Sequence, residues 1–402
     1  MLERAMTMAD NRTKKVAILF SLERKAERST FLGILDHVGK SGQWFCLFDE
    51  RWSGERMADF PKTGVDGIIV SRTGFDDARE IAALGVPVVF VEPGPELEDP
   101  DYPLRGIPYV RRDGRAIGTM AARYFVSRGY RSFAFVDLPS VECWSRERRL
   151  GFGDALAERG FDFAVFDSST AGEKRDWPTE RERMVRFLRE LPRETAVFAP
   201  ADHRARNVLE ACLFAGLRVP DEIAVLGVDD DPLICDSTVP SLSSIHTGGF
   251  RRGQIAAAML DDLMSGRQPR ECAISQPPIG IVTRDSTGYA ATSDAAISRA
   301  VAFVRRNAGD GNLDVAAVVR ASGCSRRTLE GRFRAKLGFS VRDAIVRERI
   351  ERVKALLAAG SLSIGEITER TNFVRESHLA KLFKQVTGVT MTEWRRENRD
   401  TL

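Results

Sequence analysis

Over its first 290 or so residues the chain alternates short, nearly all-apolar runs with longer stretches of helical periodicity. The apolar runs fall at 16–20 (VAILF), 44–48, 67–70, 86–91, 132–137, 164–167, 195–199 and 222–229 (EIAVLGVD). Runs this short, rich in β-branched residues and lacking polar alternation, predict strands buried on both faces; amphipathic stretches such as 112–127 and 201–216 predict the helices that cover them. Some ten strands over roughly 275 residues suit two parallel α/β lobes better than one, since a single core stops growing near that size. From about residue 297 the strand pattern stops and the periodicity is helical to the end.

Within this helical region a short segment is written twice. RTLEGRFRAKLG (327–338) returns as SHLAKLFKQVTG (377–388), with Leu329 and Leu379, Phe333 and Phe383, and Gly338 and Gly388 in the same places. Apolar residues four apart share one helix face, and the Gly that follows suits a left-handed C-cap. A shorter helix precedes each copy, with Val315 and Val318 matching Ile364 and Ile367. The order is therefore helix, tight turn, helix, with Gly323 at the first turn and Ser325 as an N-cap. If Ser325 caps the helix, Arg326, Arg327, Glu330 and Arg334 point away from the buried face. The second copy presents Glu376, Ser377, His378 and Lys381, with Arg375 just ahead of them. Such a helix fits a major groove, with Arg pairing guanine edges and neighbouring cations holding phosphates. The stretch 341–360 would join the units at the spacing of successive major-groove faces. A pair of helical hairpins used only for packing or dimerisation is the alternative.

Charge separates these readings. The whole chain carries +3, from 60 Lys and Arg against 57 Asp and Glu, but residues 297–402 hold 21 against 12, a net of +9, leaving 39 against 45, or −6, for the rest. Basic excess confined to the small helical domain is the footprint of a polyanion binder. Elsewhere composition mainly excludes. The six Cys are scattered without metal spacing, and no apolar run approaches a membrane span. The first ten residues do not read as a secretory leader, and a reducing cytoplasm is expected. No Gly-x-Ser-x-Gly elbow or phosphate-binding Gly-x-x-x-x-Gly-Lys-Ser/Thr loop is present, and the GFGD of 151–154 follows a helical pattern rather than a strand. An enzyme fused to a DNA-binding tail is thus disfavoured, and no cofactor or metal is expected.

These residues carry a resemblance. VAAVVRASGCSRRTLEGRFRAKLG and SIGEITERTNFVRESHLAKLFKQVTGVTMTEWR make 297–402 resemble the double helix-turn-helix DNA-binding domain of the AraC/XylS family of transcription regulators. Asn372 stands where that family usually has Gly, Met391 where it usually has Pro, and Gly331 interrupts the first recognition helix at a cost of about 1 kcal/mol relative to Ala. Residues 124–139 (YFVSRGYRSFAFVDLP) and 225–245 (VLGVDDDPLICDSTVPSLSSI) resemble the effector domains of LacI-type regulators, which share the two-lobed fold of periplasmic sugar-binding proteins. The expected organisation is an N-terminal tail at 1–13, a two-lobed effector domain at 14–285, a linker at 286–296 and the DNA-binding domain at 297–402.

The resemblance implies a small sugar, a pentose such as xylose, bound between the lobes, a double-stranded DNA operator, a homodimer, an activator's contact with RNA polymerase, and no membrane. Ligands of open α/β sheets sit beyond the carboxyl ends of the strands, and sugars are held by carboxylates and guanidinium groups with an aromatic over the ring. By match to the family, Arg148 and Asp229 lead as effector residues, followed by Asp202, with Arg28 from the other lobe and Trp144 as the ring cover. Each has a structural alternative. Asp229 would tie down the loop before Pro232, Arg148 would pair with Glu147 or Asp154, and Trp144 would be core. Arg146 and Arg149 are expected to face solvent. A purine, amino acid or sugar phosphate is the alternative effector.

Overall fold

The computed structural model describes residues 13–41, 43–49, 63–71, 74–138, 143–168, 176–287, 294–309, 313–358, 362–387 and 389–398. Two compact units result, 1–113 with 248–276, and 114–247 with 277–402. The first opens with β1 (Lys14–Leu19), α1 (Lys25–Ser41), β2 (Trp44–Asp49), β3 (Gly67–Val70), α2 (Phe75–Ala83), β4 (Val88–Val91) and β5 (Tyr109–Arg112). The second runs α3 (Gly114–Ser127), β6 (Ser132–Val136), α4 (Cys143–Ala157), β7 (Ala164–Phe166), α5 (Trp177–Glu190), β8 (Thr195–Phe198), α6 (Asp202–Ala215), β9 (Ile223–Val228), α7 (Pro232–Cys235) and β10 (Ser243–His246). The chain then supplies α8 (Gly249–Met264) and β11 (Ala273–Gln276) to the first unit, and β12 (Gly280–Val282) to the second.

Each unit holds a six-stranded sheet, in the orders β11-β5-β4-β3-β1-β2 and β12-β10-β9-β8-β6-β7. Every described pairing is parallel except β12 against β10. Parallel strands need both faces covered, which is why β3, β4, β8 and β9 are buried along their whole length and why the apolar runs lacked alternation. In both sheets the chain reverses its direction of travel once, between β1 and β3 and between β6 and β8. Clefts of this fold open at those points, beyond the carboxyl ends.

The covering helices come unusually close. In the second unit α3 and α4 meet at Gly118 and Gly151. A Cβ at 118 would overlap the Arg148 carbonyl oxygen and stand 2.5 Å from the Phe152 nitrogen; one at 151 would overlap the Arg115 carbonyl oxygen. The first unit repeats the device with α1 and α8, where a Cβ at 253 would stand 2.8 Å from the Ile34 nitrogen. Backbone lies on backbone in both pairs, and the helix positions are set within narrow limits.

The helical domain comprises α9 (Ala295–Asn307), α10 (Val315–Ser322), α11 (Arg326–Leu337), α12 (Val341–Ala358), α13 (Ile364–Arg370), α14 (Glu376–Thr387) and α15 (Met391–Asn398). Two cores divide it. Leu329, Phe333, Val318, Ile297 and Val341 pack in one, and Leu379, Phe383, Ile367, Val353 and Trp394 in the other. Ser325 accepts from the Thr328 nitrogen and caps α11, while Gly323 and Gly338 take left-handed conformations at the ends of α10 and α11. Asn372 adopts φ 55°, so it makes the second turn in place of Gly. Met391 is the first residue of α15, a position that Pro favours, and its side chain is buried in the second core. The closing Gly388 of the repeat lies outside the described residues.

One difference from the sequence-based expectation concerns the linker. Ser286 is buried with its Oγ donating to the Val225 carbonyl at 2.7 Å, and the Thr287 hydroxyl meets Tyr124 and Ser243 at 2.7 Å each. The start of the expected linker therefore packs against β9 and β10 of the second sheet. Residues 288–293 lie outside the described residues, and Asp294 caps α9 through the Ala296 nitrogen at 3.0 Å. The expected tail likewise lies outside them apart from Thr13, and so does a stretch of the loop before Trp144.

Candidate functional site

Four of the five expected effector residues lie in the second unit at the carboxyl edge of its central strands. Arg148, on α4, is 1% exposed. Its Nη1 donates to the carbonyl of Pro200, just past β8, and its guanidinium lies 4.6 Å from the ring centre of half-buried Trp144. The close approach of α3 at Gly118 fixes the turn of α4 that carries Arg148. Asp154, one of the partners considered for Arg148, instead pairs with Arg115 at 2.7 Å.

Asp202 opens α6 and is 2% exposed. Its Oδ2 accepts from the Asp231 nitrogen at 2.7 Å and its Oδ1 meets the Ser244 hydroxyl at 2.5 Å. Burial first, and then the nearby Asp229 charge, push its carboxyl well above the usual carboxylate range. Asp229 leaves β9 with φ 106°, a conformation that costs a non-glycine residue energy and that clusters at ligand sites. Its backbone nitrogen donates to the Ile245 carbonyl at 2.9 Å, and its side chain is half-buried. The two Asp that follow do other work. Asp230 pairs with Arg284 at 2.8 Å, while Asp231 caps α7 through the Leu233 nitrogen at 3.0 Å, so the loop before Pro232 is tied down by Asp231.

Arg28 belongs to the first unit. It is half-buried on α1 and its Nη1 donates to the carbonyls of Leu22 at 3.1 Å and Glu23 at 2.7 Å, which shapes the loop after β1. Arg149, expected in solvent, binds Asp137 at 3.2 Å, and Asp137 also accepts from Ser145 at 2.7 Å; Arg146 is exposed. Sequence reasoning passed over a charged cluster at the carboxyl end of β4. Glu92, with φ 56°, meets Arg112 at 3.1 Å and Arg252, itself 1% exposed, at 3.2 Å. The signal was available, since Glu92 directly follows the strand VVFV.

The recognition helices present a polar row over a buried frame. Arg326, Arg327 and Arg334 on α11 are exposed, as are Arg375 before α14 and Glu376, Ser377, His378 and Lys381 on it; Leu329, Phe333, Leu379 and Phe383 are fully buried beneath. Glu330 is half-buried and turned toward the next helix, accepting from the Val341 nitrogen at 3.4 Å. A Cβ at Gly331 would meet nothing within 4 Å, so the gap on the face of α11 is open. A basic, exposed helix on a rigid apolar base is suited to groove insertion.

Comparison with known proteins agrees with both halves. A periplasmic binding protein-like domain matches residues 122–287 and a helix-turn-helix domain matches 318–397. The chain thus sets a LacI-type, periplasmic-binding-protein-like domain ahead of an AraC-type double helix-turn-helix domain, the make-up of a DNA-binding transcription regulator. It is similar over nearly its whole length to the xylose operon regulatory proteins of Haemophilus influenzae (29% identity over 387 residues, 95% of this chain and 98% of the relative) and Escherichia coli (28% over 394 residues, 96% and 98%). Its fold is similar to that of a xylose-binding transcription activator, with a TM-score of 0.61, 27% identity, and 96% and 98% of the two chains covered. No helix among the described residues is long and apolar enough to cross a membrane.

Proposed function

We propose that the protein is a sugar-responsive transcription regulator whose effector is a pentose, with D-xylose as the first candidate, held in the effector domain and acting on how the helix-turn-helix domain binds an operator. The observation that carries this is the Arg148–Trp144 pair at the carboxyl end of β8, with Asp229 at the carboxyl end of the neighbouring β9 and the buried Asp202 beside it. Arg148 donates to ring hydroxyls, the strained Asp229 accepts from an adjacent pair, and Trp144 covers an apolar ring face. Asp202 has both oxygens committed to Asp231 and Ser244, so its role is to hold the Asp229 loop. Arg28 is a weaker candidate from the first unit. The full-length similarity to xylose operon regulators supports the choice of sugar.

On the DNA side, Arg375, Glu376, Ser377, His378 and Lys381 read bases and phosphates through α14, and Arg326, Arg327 and Arg334 through α11, with Glu330 supporting α12 instead. The protein acts in the cytoplasm as a homodimer, and contact with RNA polymerase accompanies activation. Thermal-shift titration of the full chain against pentoses, hexoses, their phosphates, purines and amino acids tests the effector, because a ligand of the native state raises its melting temperature. A rise confined to pentoses supports the proposal, and a rise with purines or amino acids alone refutes it.

A further inference from the structure

The two helix-turn-helix units differ in what they rest on. The core of the first, built around Leu329 and Phe333, is drawn from residues 297–345. That of the second includes Ile279, from the segment leading into β12 of the effector domain. Trp394, fully buried at the centre of this second core, packs on Phe383 with ring centres 6.0 Å apart. Two further neighbours belong to the effector domain. The ring of His246, at the end of β10, lies 5.8 Å away. Gly280, the β12 partner of His246, leaves so little room that an added Cβ would stand 3.3 Å from the indole.

A second contact runs beside the first. Lys354, buried on α12, donates from Nζ to the Ile281 carbonyl at 2.6 Å and to Glu351 at 2.8 Å, and the same Nζ lies 5.2 Å from the Trp394 ring centre. Glu351 accepts in turn from the Thr283 nitrogen at 3.1 Å. His246 leads back to the candidate effector site, since its Nδ1 lies 3.8 Å from Asp230, the residue after Asp229, and its carbonyl accepts from the Ile279 nitrogen at 2.9 Å.

We infer that, among the described residues, the effector domain grips the second helix-turn-helix unit through Trp394 seated on Gly280 and His246 and Lys354 capping Ile281, and that this grip carries the state of the 229–231 loop to α14. The first unit follows at one remove, on α12. Lys354, Trp394 and His246 are positioning residues in this account. Coupling between sites needs an element that both sites bias, and the short path Asp229, Asp230, His246, Trp394 ends in the core that holds α14. The inference rests on the proposed role of Asp229 at the border of the effector.

Lys354→Met keeps the stem of the side chain and removes its donors, and Gly280→Ala adds one methyl under the indole. Each full-length variant is compared with wild type by D-xylose calorimetry, by operator titration with and without D-xylose, and by hydrogen exchange. The expected result is D-xylose and basal operator affinities within about twofold of wild type, loss of the D-xylose-dependent change in operator affinity, and exchange roughly tenfold faster in 364–387 while 297–337 is unaltered. A D-xylose-dependent change of wild-type size in both variants overturns the inference. If wild type itself binds no D-xylose, the effector reading fails, and hydrogen exchange alone decides: selective loosening of 364–387 supports the grip, and equal or absent loosening overturns it.

Discussion

Replacing Gly118 by Ala tests whether the close approach of two helices is what sets the effector site. The new methyl would stand 2.5 Å from the Phe152 nitrogen and overlap the Arg148 carbonyl oxygen. Ordinary contacts to carbon are about 3.5 Å, so α4 must recede by on the order of 1 Å. Overpacking of this kind costs about 1–3 kcal/mol of stability. Arg148 is anchored at the other end on the Pro200 carbonyl, so a receding helix drags its guanidinium out of register. Losing one charged hydrogen bond to the effector costs about 1.5–3 kcal/mol, which weakens Kd roughly ten- to a hundredfold. Calorimetry with D-xylose reads the affinity and urea denaturation the stability. Gly39→Ala is the control, because that Cβ on α1 would meet nothing within 4 Å. A Gly118→Ala protein that binds D-xylose as wild type does would refute the argument, whatever its stability.

Other substitutions test other features of the account. Gly331→Ala fills open space in a helix, so unfolding of the DNA-binding domain should become harder by up to about 1 kcal/mol; destabilisation would show that position 331 is not open. Lys381→Ala should weaken operator binding on all sequences alike and lower the slope of log K against log salt by about 1, as a lost phosphate contact does. Ser363 and Glu366 cap α13 reciprocally, so Ser363→Ala should cost about 1 kcal/mol in thermal unfolding. Asp202 favours its neutral form in the fold, because burial and the Asp229 charge raise it above the ordinary 3.8. Its contribution to stability is therefore present at low pH and lost as pH rises from that value through the folded one. Asp202→Asn, neutral throughout, should gain relative to wild type in urea denaturation as pH rises above 3.8, and a parallel pair of pH curves would contradict this.

Much of the DNA-binding half was legible because its determinants are local. Leu329 and Phe333 lie one turn apart, Ser325 caps three residues ahead of Thr328, and Gly323 and Asn372 stand where a turn needs positive φ. The strands were legible for the opposite reason, that burial on both faces strips them of polar residues. What stayed hidden depends on residues far apart in the chain. Gly118 and Gly151 sit in ordinary amphipathic patterns, and only the packed pair of helices gives them a reason. Likewise Glu330 is a polar residue at an outward-reading position until Val341 folds back beside it, and Arg149 becomes a partner of Asp137 only once α4 meets β6. Asp202 had the right chemistry for a sugar ligand, but its two oxygens are claimed by Asp231 and Ser244, a network no spacing rule contains.

The central claim is that a sugar held by Arg148 and Asp229 alters operator binding. Fluorescence anisotropy of labelled operator with wild type, Arg148→Ala and Asp229→Ala, each titrated with and without D-xylose, tests it most directly. The account predicts that all three bind operator alike in the absence of sugar and that only wild type changes affinity when D-xylose is added. A D-xylose response of wild-type size in both variants would contradict it.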